Sequence, residues 1–495
     1  MKQYRVLYNQ DCTNLFYITR ESITSSHVDA MVDEVAEGGA DVLLINPNAQ
    51  RVNYPSKVWQ TFWDGYSPGD REFFGPLPDA EAEDRERWVR QMKQLADQGC
   101  DYLERALARC RLRDIAPGIT VRMNDMHDAP TPGTHLFSSF YMAHPELRLQ
   151  NPPFCGWGAT GLNYEHPAVR EHYLSLITEL ARDYDCDVLE LDFLRFQCYF
   201  PRVDFARHCA IMTEFIRDVR AVLDATGRRI ALTARVAASP AAAYELGFDV
   251  AAWAQGKLVD GITAGAFYNT QWRVPIGEFR SLIGKDLPIY ACADYNADRR
   301  PGLPIRYMPL DPKLLRGFAA GHLAAGADGV ELFNFFCSRE EVWDGVREQP
   351  SFATLRDMRD LTSLRGKEKT YTLMSGWAVA ETDGAVQVPV TVETGQPRAF
   401  RMLLAAEPED AKVEAAVIFS GGEATTPDQL WLQFNHTTAG PAREVRSAPE
   451  CPADMHQAVF ELPVSALRDG ENELVLRNEG ESLTVISIDV RVQAL

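Results

Sequence analysis

Pro117-Gly118-Ile119-Thr120-Val121-Arg122-Met123-Asn124-Asp125-Met126-His127-Asp128 is the stretch on which the fold of this chain turns. A Pro-Gly pair reads as a turn, and the β-branched run Ile119-Thr120-Val121 reads as the strand that follows it. From Arg122 to Asp128 the chain then gathers a cation, an amide, two carboxylates and an imidazole. Burying such groups for packing alone is costly, because each needs a partner or water. At the carboxyl end of a barrel strand, however, such groups are expected as site residues. The meaning of the cluster depends on whether the flanking sequence spells a barrel.

It does. Strand-like runs recur at residues 4–11, 40–47, 119–125, 186–196, 229–236, 258–264, 287–294 and 328–336. Helical patterns lie between or after them at 28–37, 80–111, 167–183, 205–225, 241–255, 312–325 and 351–364. Such alternation is the pattern of a parallel α/β fold, and the count of strands predicts a (β/α)8 TIM barrel over residues 1–368. No GxGxxG follows the first strand, which weakens a dinucleotide-binding reading. Long polar or aromatic insertions follow strands two (50–78), three (129–165) and six (269–276), on the side where a barrel carries its active-site loops. After about Lys367 the runs become short, alternating and punctuated by Gly, Asn and Asp. They predict an all-β sandwich over 369–495, expected to be an accessory domain.

Composition narrows the function. The net charge of −20 and the pI near 5.0 argue against nucleic acid or an anionic membrane surface as a partner. No apolar run reaches the ~18 residues of a membrane span. The start, Met1-Lys2-Gln3-Tyr4-Arg5-Val6-Leu7-Tyr8, lacks the apolar core of a signal peptide, so a cytoplasmic location is expected. Ten cysteines are scattered without CxxC spacing, in keeping with a reducing compartment. No HExxH, DxDxDG or paired-histidine motif appears, and neither a metal nor another cofactor is expected. There is no GxSxG elbow for a serine hydrolase.

In strand four, Val188, Glu190 and Asp192 share one face and Leu189, Leu191 and Phe193 the other. The apolar face should meet the helices, leaving Glu190 and Asp192 inside the barrel. Arg122, Arg195 and Arg235 are available to neutralise them in a structural ion-pair layer. Asp192, nearer the mouth, is equally a candidate to bind substrate. Arg122 and Arg195 could also grip a ligand carboxylate through their planar forks. Asp11, Asn46, Asn48, Asp294 and Asn334 stand at other strand ends and suggest a pocket for a polyhydroxylated ligand. Tyr8, Trp157, Tyr268, Trp272 and Phe335 are candidate sugar platforms. His127, between two carboxylates, is the pivotal residue, since a neighbouring carboxylate makes it a stronger base.

With Asp11 at the first strand, Arg122-x4-His127 at the third, Leu191-Asp192-Phe193-Leu194-Arg195-Phe196 at the fourth and Asn334 at the eighth, the chain resembles glycoside hydrolase family 156. The resemblance covers nearly the whole chain. It implies a (β/α)8 barrel with a β-rich domain, and an exo-sialidase that releases terminal sialic acid from a sialylated glycan with inversion. It further implies His127 as base, Asp125 as the carboxylate beside it and Asp11 as catalytic acid, with Arg122, Arg195 and Asn334 binding substrate. The S-x-D-x-G-x-T-W boxes of propeller sialidases do not occur in this chain. Two other readings stand beside this one. One is a barrel glycosidase for a neutral sugar or uronic acid, using a pair drawn from Asp192, Asp294 and Glu331. The other is a non-catalytic carbohydrate-binding protein. A homodimer is possible under any of them.

Overall fold

The computed structural model describes residues 4–129, 131–149, 160–266, 270–295, 310–335, 352–374, 386–449, 451 and 453–493. Eight parallel strands close into a barrel in chain order. They are β1 (Val6–Gln10), β2 (Val42–Ile45), β3 (Ala116–Arg122), β4 (Val188–Asp192), β5 (Ala231–Ala237), β6 (Gly261–Gly265), β7 (Ile289–Asp294) and β8 (Gly329–Phe333). All eight fall within or across the runs read from the sequence. Closure is made by β1 on β8, with Leu7 opposite Glu331.

Three local expectations are corrected. Pro117 and Gly118 lie inside β3 rather than in a turn before it, opposite Leu43 and Leu44 of β2. Pro117 contributes its carbonyl, which accepts from the Asp187 amide at 2.8 Å, so its missing N–H costs that ladder nothing. A Cβ on Gly118 would meet Leu44 Cδ2 at 2.7 Å, so glycine is there for close approach. The run 80–111 is two helices, Asp79–Asp97 and Tyr102–Leu112. The break is set by Gly99 at φ 75° and by Asp101, whose carboxylate caps the second helix at the amides of Leu103 and Glu104. Residues 241–255 likewise hold two short helices, Pro240–Glu245 and Val250–Gln255.

The barrel interior grades from apolar at its amino end to charged at its mouth. Leu7, Leu44, Val188 and Tyr290 form a buried apolar cluster. In the next layer Glu190 Oε1 accepts from Asn9 Nδ2 (3.1 Å) and Thr120 Oγ1 (2.9 Å), and Glu331 Oε2 accepts from Thr263 Oγ1 (2.9 Å). Burial, then the neighbouring charges of Glu331 and Asp192, push the Glu190 carboxyl well up against the pull of Arg235. Burial pushes Glu331 up as well. The expected layer of arginine pairs is therefore only partly formed. Asp192 does pair with Arg235, Oδ1 to Nη1 at 2.8 Å, while Glu190 has no arginine partner among the described residues and its carboxyl is pushed up.

The remaining strands form two antiparallel sheets. One contains Val390–Val392, Leu483–Gln493, Lys412–Gly421, Met455–Glu461 and Glu444–Ser447, with Lys369–Met374 also paired to Leu483–Gln493. The other runs Arg398–Leu404, Gly470–Asn478, Leu430–Phe434, Thr437–Pro441. One hydrophobic cluster continues from the barrel helices into both sheets, joining Leu315 and Phe318 to Phe400, Leu404 and Leu474. Helix Pro312–Ala324 makes the seam. Its Gly317 lies against the Thr370 carbonyl so closely that no Cβ fits, and a Cβ on Gly321 would stand 2.6 Å from Leu403 O. A buried ion pair, Lys369 Nζ to Glu407 Oε1 at 2.7 Å, lies on the sandwich side of this seam.

Candidate active site

A cleft of about 380 Å³ opens at the carboxyl ends of the strands. Asp11, Arg122, His127, Arg195 and Asn334, drawn from the ends of β1, β3, β4 and β8, all line it. Local hydrogen bonds fix several of them. Asn48 accepts from the Arg122 amide (3.1 Å) and donates to the Arg122 carbonyl (2.9 Å), while Asn46 Nδ2 donates to the Thr120 carbonyl (2.7 Å). These asparagines hold β3 and its loop rather than reaching toward a ligand. Asn124 ties the same loop to Leu162, donating to its carbonyl at 2.9 Å and accepting from its amide at 3.0 Å.

His127 stands five residues beyond the end of β3. Asp125 Oδ1 accepts from the His127 backbone N–H (3.0 Å) and lies 2.8 Å from Nδ1, so one carboxylate fixes both the turn and the ring. Arg195 Nη2 approaches Nε2 at 2.8 Å. A guanidinium can only donate, so Nε2 is the acceptor and the Nδ1 proton points to Asp125. The ring is thus a neutral imidazole in the tautomer a general base requires. Phe196 meets it edge-on with centroids 5.1 Å apart. The other carboxylate of the cluster, Asp128, turns away to Arg85 (3.2 Å) and Thr134 Oγ1 (2.8 Å).

Burial works to raise the Asp125 carboxyl, while the hydrogen bonds it accepts from the His127 N–H and Nδ1 and the charge of Arg122 hold it low. Burial likewise works to raise Asp11. The charges of Arg122 and Arg195 and two hydrogen bonds from Thr13, both 2.9 Å, prevail and keep it well below the usual carboxylate range. Asp11 is ion-paired to Arg122 Nη2, and Arg122 Nη1 lies 3.4 Å from Asp125 Oδ2. These partners hold Asp11 as an anion.

Asn334 adopts the left-handed region (φ 55°), and its buried Oδ1 has no hydrogen-bond partner among the described residues. Asp192 is not part of the cleft lining. It accepts from the amides of Leu194 (3.0 Å) and Arg195 (3.2 Å) as well as from Arg235, and so shapes the loop that carries Arg195. Asp294 and Glu331 are buried and also lie outside the lining. Of the expected aromatic platforms, Tyr8 and Phe335 pack on Phe352, and Trp272 packs on Phe318. Trp157 and Tyr268 lie outside the described residues. The aromatic walls are instead Tyr17, Phe62, Trp88 and Tyr295.

Helix Asp79–Asp97 adds Glu81, Asp84, Arg85 and Trp88 to the rim, a contribution the sequence reading missed. Treating 80–111 as one helix hid it. The signal was available in Gln98-Gly99, which ends a helix, and Asp101, which starts the next. Among the described residues, no three His, Cys, Asp or Glu side chains converge as metal ligands, and no helix is long and apolar enough to cross a membrane.

No family model matches the chain, and no curated protein matches it. Among solved structures it is similar to the glycoside hydrolase domain of PgaB (BpsB) from Bordetella bronchiseptica, at 12% identity and a TM-score of 0.45, over 72% of this chain and 99% of that one. It is similar to an alpha-amylase from Geobacillus thermoleovorans, at 11% identity and 0.40, over 96% of this chain and 99% of that one. A GH27-β-L-arabinopyranosidase from Geobacillus stearothermophilus is similar at 12% identity and 0.39, over 96% of each chain. At these identities and scores the likeness carries no argument about the chemistry of this cleft.

Proposed function

We propose that the protein is an inverting exo-sialidase, with His127 as general base, Asp125 as its orienting carboxylate and Asp11 as general acid. The observation that carries this reading is an imidazole whose Nδ1 faces Asp125 and whose Nε2 is the acceptor, in a cleft lined by two arginines. A sialoside bears a carboxylate on its anomeric carbon. An anionic base would be repelled there, whereas a neutral imidazole is not. Arg122 and Arg195 supply the positive charge that would hold that carboxylate, and the Asn334 Oδ1, without a partner among the described residues, can accept from a hydroxyl or amide.

In this mechanism His127 Nε2 takes a proton from water as the water oxygen bonds to the anomeric carbon. The glycosidic C–O bond breaks, and its electron pair takes a proton from Asp11, which must first be protonated from solvent against the pull of Arg122 and Arg195. The products are free sialic acid of inverted configuration and the shortened glycan. Imidazolium and carboxylate are then reset through solvent.

Anomer-resolved proton NMR of sialyl-lactose hydrolysis tests the reading, with neutral and uronic glycosides in parallel. The β-anomer of sialic acid is expected to form first. Failure to release sialic acid, or first formation of the α-anomer, sinks it.

A further inference from the structure

The base that hydrolysis needs is covered by a side chain of the protein itself. Nδ1 of His127 is committed to Asp125, so Nε2 alone can accept a proton from water, and its lone pair is held by Arg195 Nη2 at 2.8 Å. Among the described residues the other group against the ring is Phe196, since Asp128 faces Arg85 and Thr134. Arg195 also belongs to the charge that, with Arg122, keeps Asp11 anionic. The resting cleft thus pairs an occupied base with an unprotonated acid.

We infer that the substrate's own carboxylate arms the site by drawing the Arg195 guanidinium off His127 Nε2, which frees that nitrogen for the attacking water. This rests on the sialidase reading and adds a positioning role to Arg195. A carboxylate offers the guanidinium an opposite charge and a second acceptor oxygen where Nε2 offers one neutral lone pair, so an anionic sugar can compete for Arg195 in a way that a neutral one cannot. Carboxylate entering between the two arginines also cancels part of the charge on Asp11, which lets Asp11 take up the proton it must deliver. Selection for an acidic sugar is then expressed in turnover as well as in binding.

The test has a spectroscopic and a kinetic arm. In native protein labelled with ¹⁵N at Arg and His, a nitrogen–nitrogen coupling across the Arg195–His127 hydrogen bond should be present without ligand. It should vanish on saturation with N-acetylneuraminic acid and persist with its methyl ester. Absence of the coupling in free protein overturns the cap whatever the substrate. Persistence with bound sialic acid overturns the switch while leaving the sialidase reading intact. No binding and no hydrolysis of sialosides overturns that reading and takes the switch with it.

In the kinetic arm, an aryl α-sialoside is compared with its methyl ester. The native protein should lose on the order of 10²-fold or more in kcat on the ester, as expected when the base is withheld. Arg195→Met should turn the ester over faster than the native protein does, while its KM for the free acid rises. A purely binding role for Arg195 predicts no such gain, and its absence in both Arg195→Met and Arg195→Lys overturns the proposal.

Discussion

A carboxylate two residues before a histidine can hold it in two ways, and Asp125 does both: it anchors the His127 amide and the Nδ1 side of the ring. Rigid placement of the imidazole therefore rests on a single local turn. His127→Ala and Asp125→Asn are each expected to lose roughly 10²–10⁴-fold in kcat, with circular dichroism unchanged and KM little altered. Near-native turnover by a folded His127→Ala protein would remove it as the base. The cluster from Arg122 to Asp128 was legible because its residue types are improbable as packing. The residue types alone left open which carboxylate serves His127, which only the family resemblance implied, and they could not reveal that Arg195 closes over it. That contact joins residues 68 positions apart and depends on two loops meeting.

Strand identity was legible at the scale of elements, because each barrel strand is a short apolar run flanked by breakers. Strand ends were less so. Pro117 and Gly118 carry turn propensity, yet pairing with β2 on one side and β4 on the other overrides it. The inner face of β4 was read correctly as carboxylate-bearing, but its electrostatics needed the neighbours in place. With burial and the nearby charges of Glu331 and Asp192, and with no arginine bonded to it among the described residues, the Glu190 carboxyl is pushed well up.

That has a pH consequence. A carboxyl whose folded pKa lies above its unfolded value of about 4.3 contributes stability that is fully present below that value and is lost as pH rises toward the folded pKa. Glu190→Gln keeps the neutral shape and removes the titration. Its Tm relative to the native protein should be unchanged near pH 4 and increasingly higher toward pH 8. A uniform loss across that range would mean that the buried layer needs an anion at this position.

The whole molecule is built around a seam without room for a methyl group. Gly317 faces the Thr370 carbonyl and Gly321 the Leu403 carbonyl, while one apolar core runs from the barrel helices into both sheets. Calorimetry and circular dichroism should therefore show barrel and sandwich melting in a single transition. Gly317→Ala must push the two layers apart and should cost about 1–3 kcal/mol, the usual range for overpacking, lowering that one transition. Two separated transitions, or an unchanged Tm in Gly317→Ala, would contradict a shared core. None of this was legible in the sequence. Helix Pro312–Ala324 reads there as an ordinary barrel helix, and its glycines acquire meaning only when the sheet lies over them.

The same seam bears on how this architecture can be shuffled. A β-domain joined after Leu364 by recombination would have to present a bare backbone carbonyl at the position of Thr370 and another at that of Leu403, in register with the two glycines. Few partners meet that condition, so barrel and sandwich are expected to travel through descent as one inherited unit rather than as interchangeable parts. Chimeras that keep the barrel and exchange the sandwich should fail unless Gly317, Gly321 and the strand facing them are carried across together.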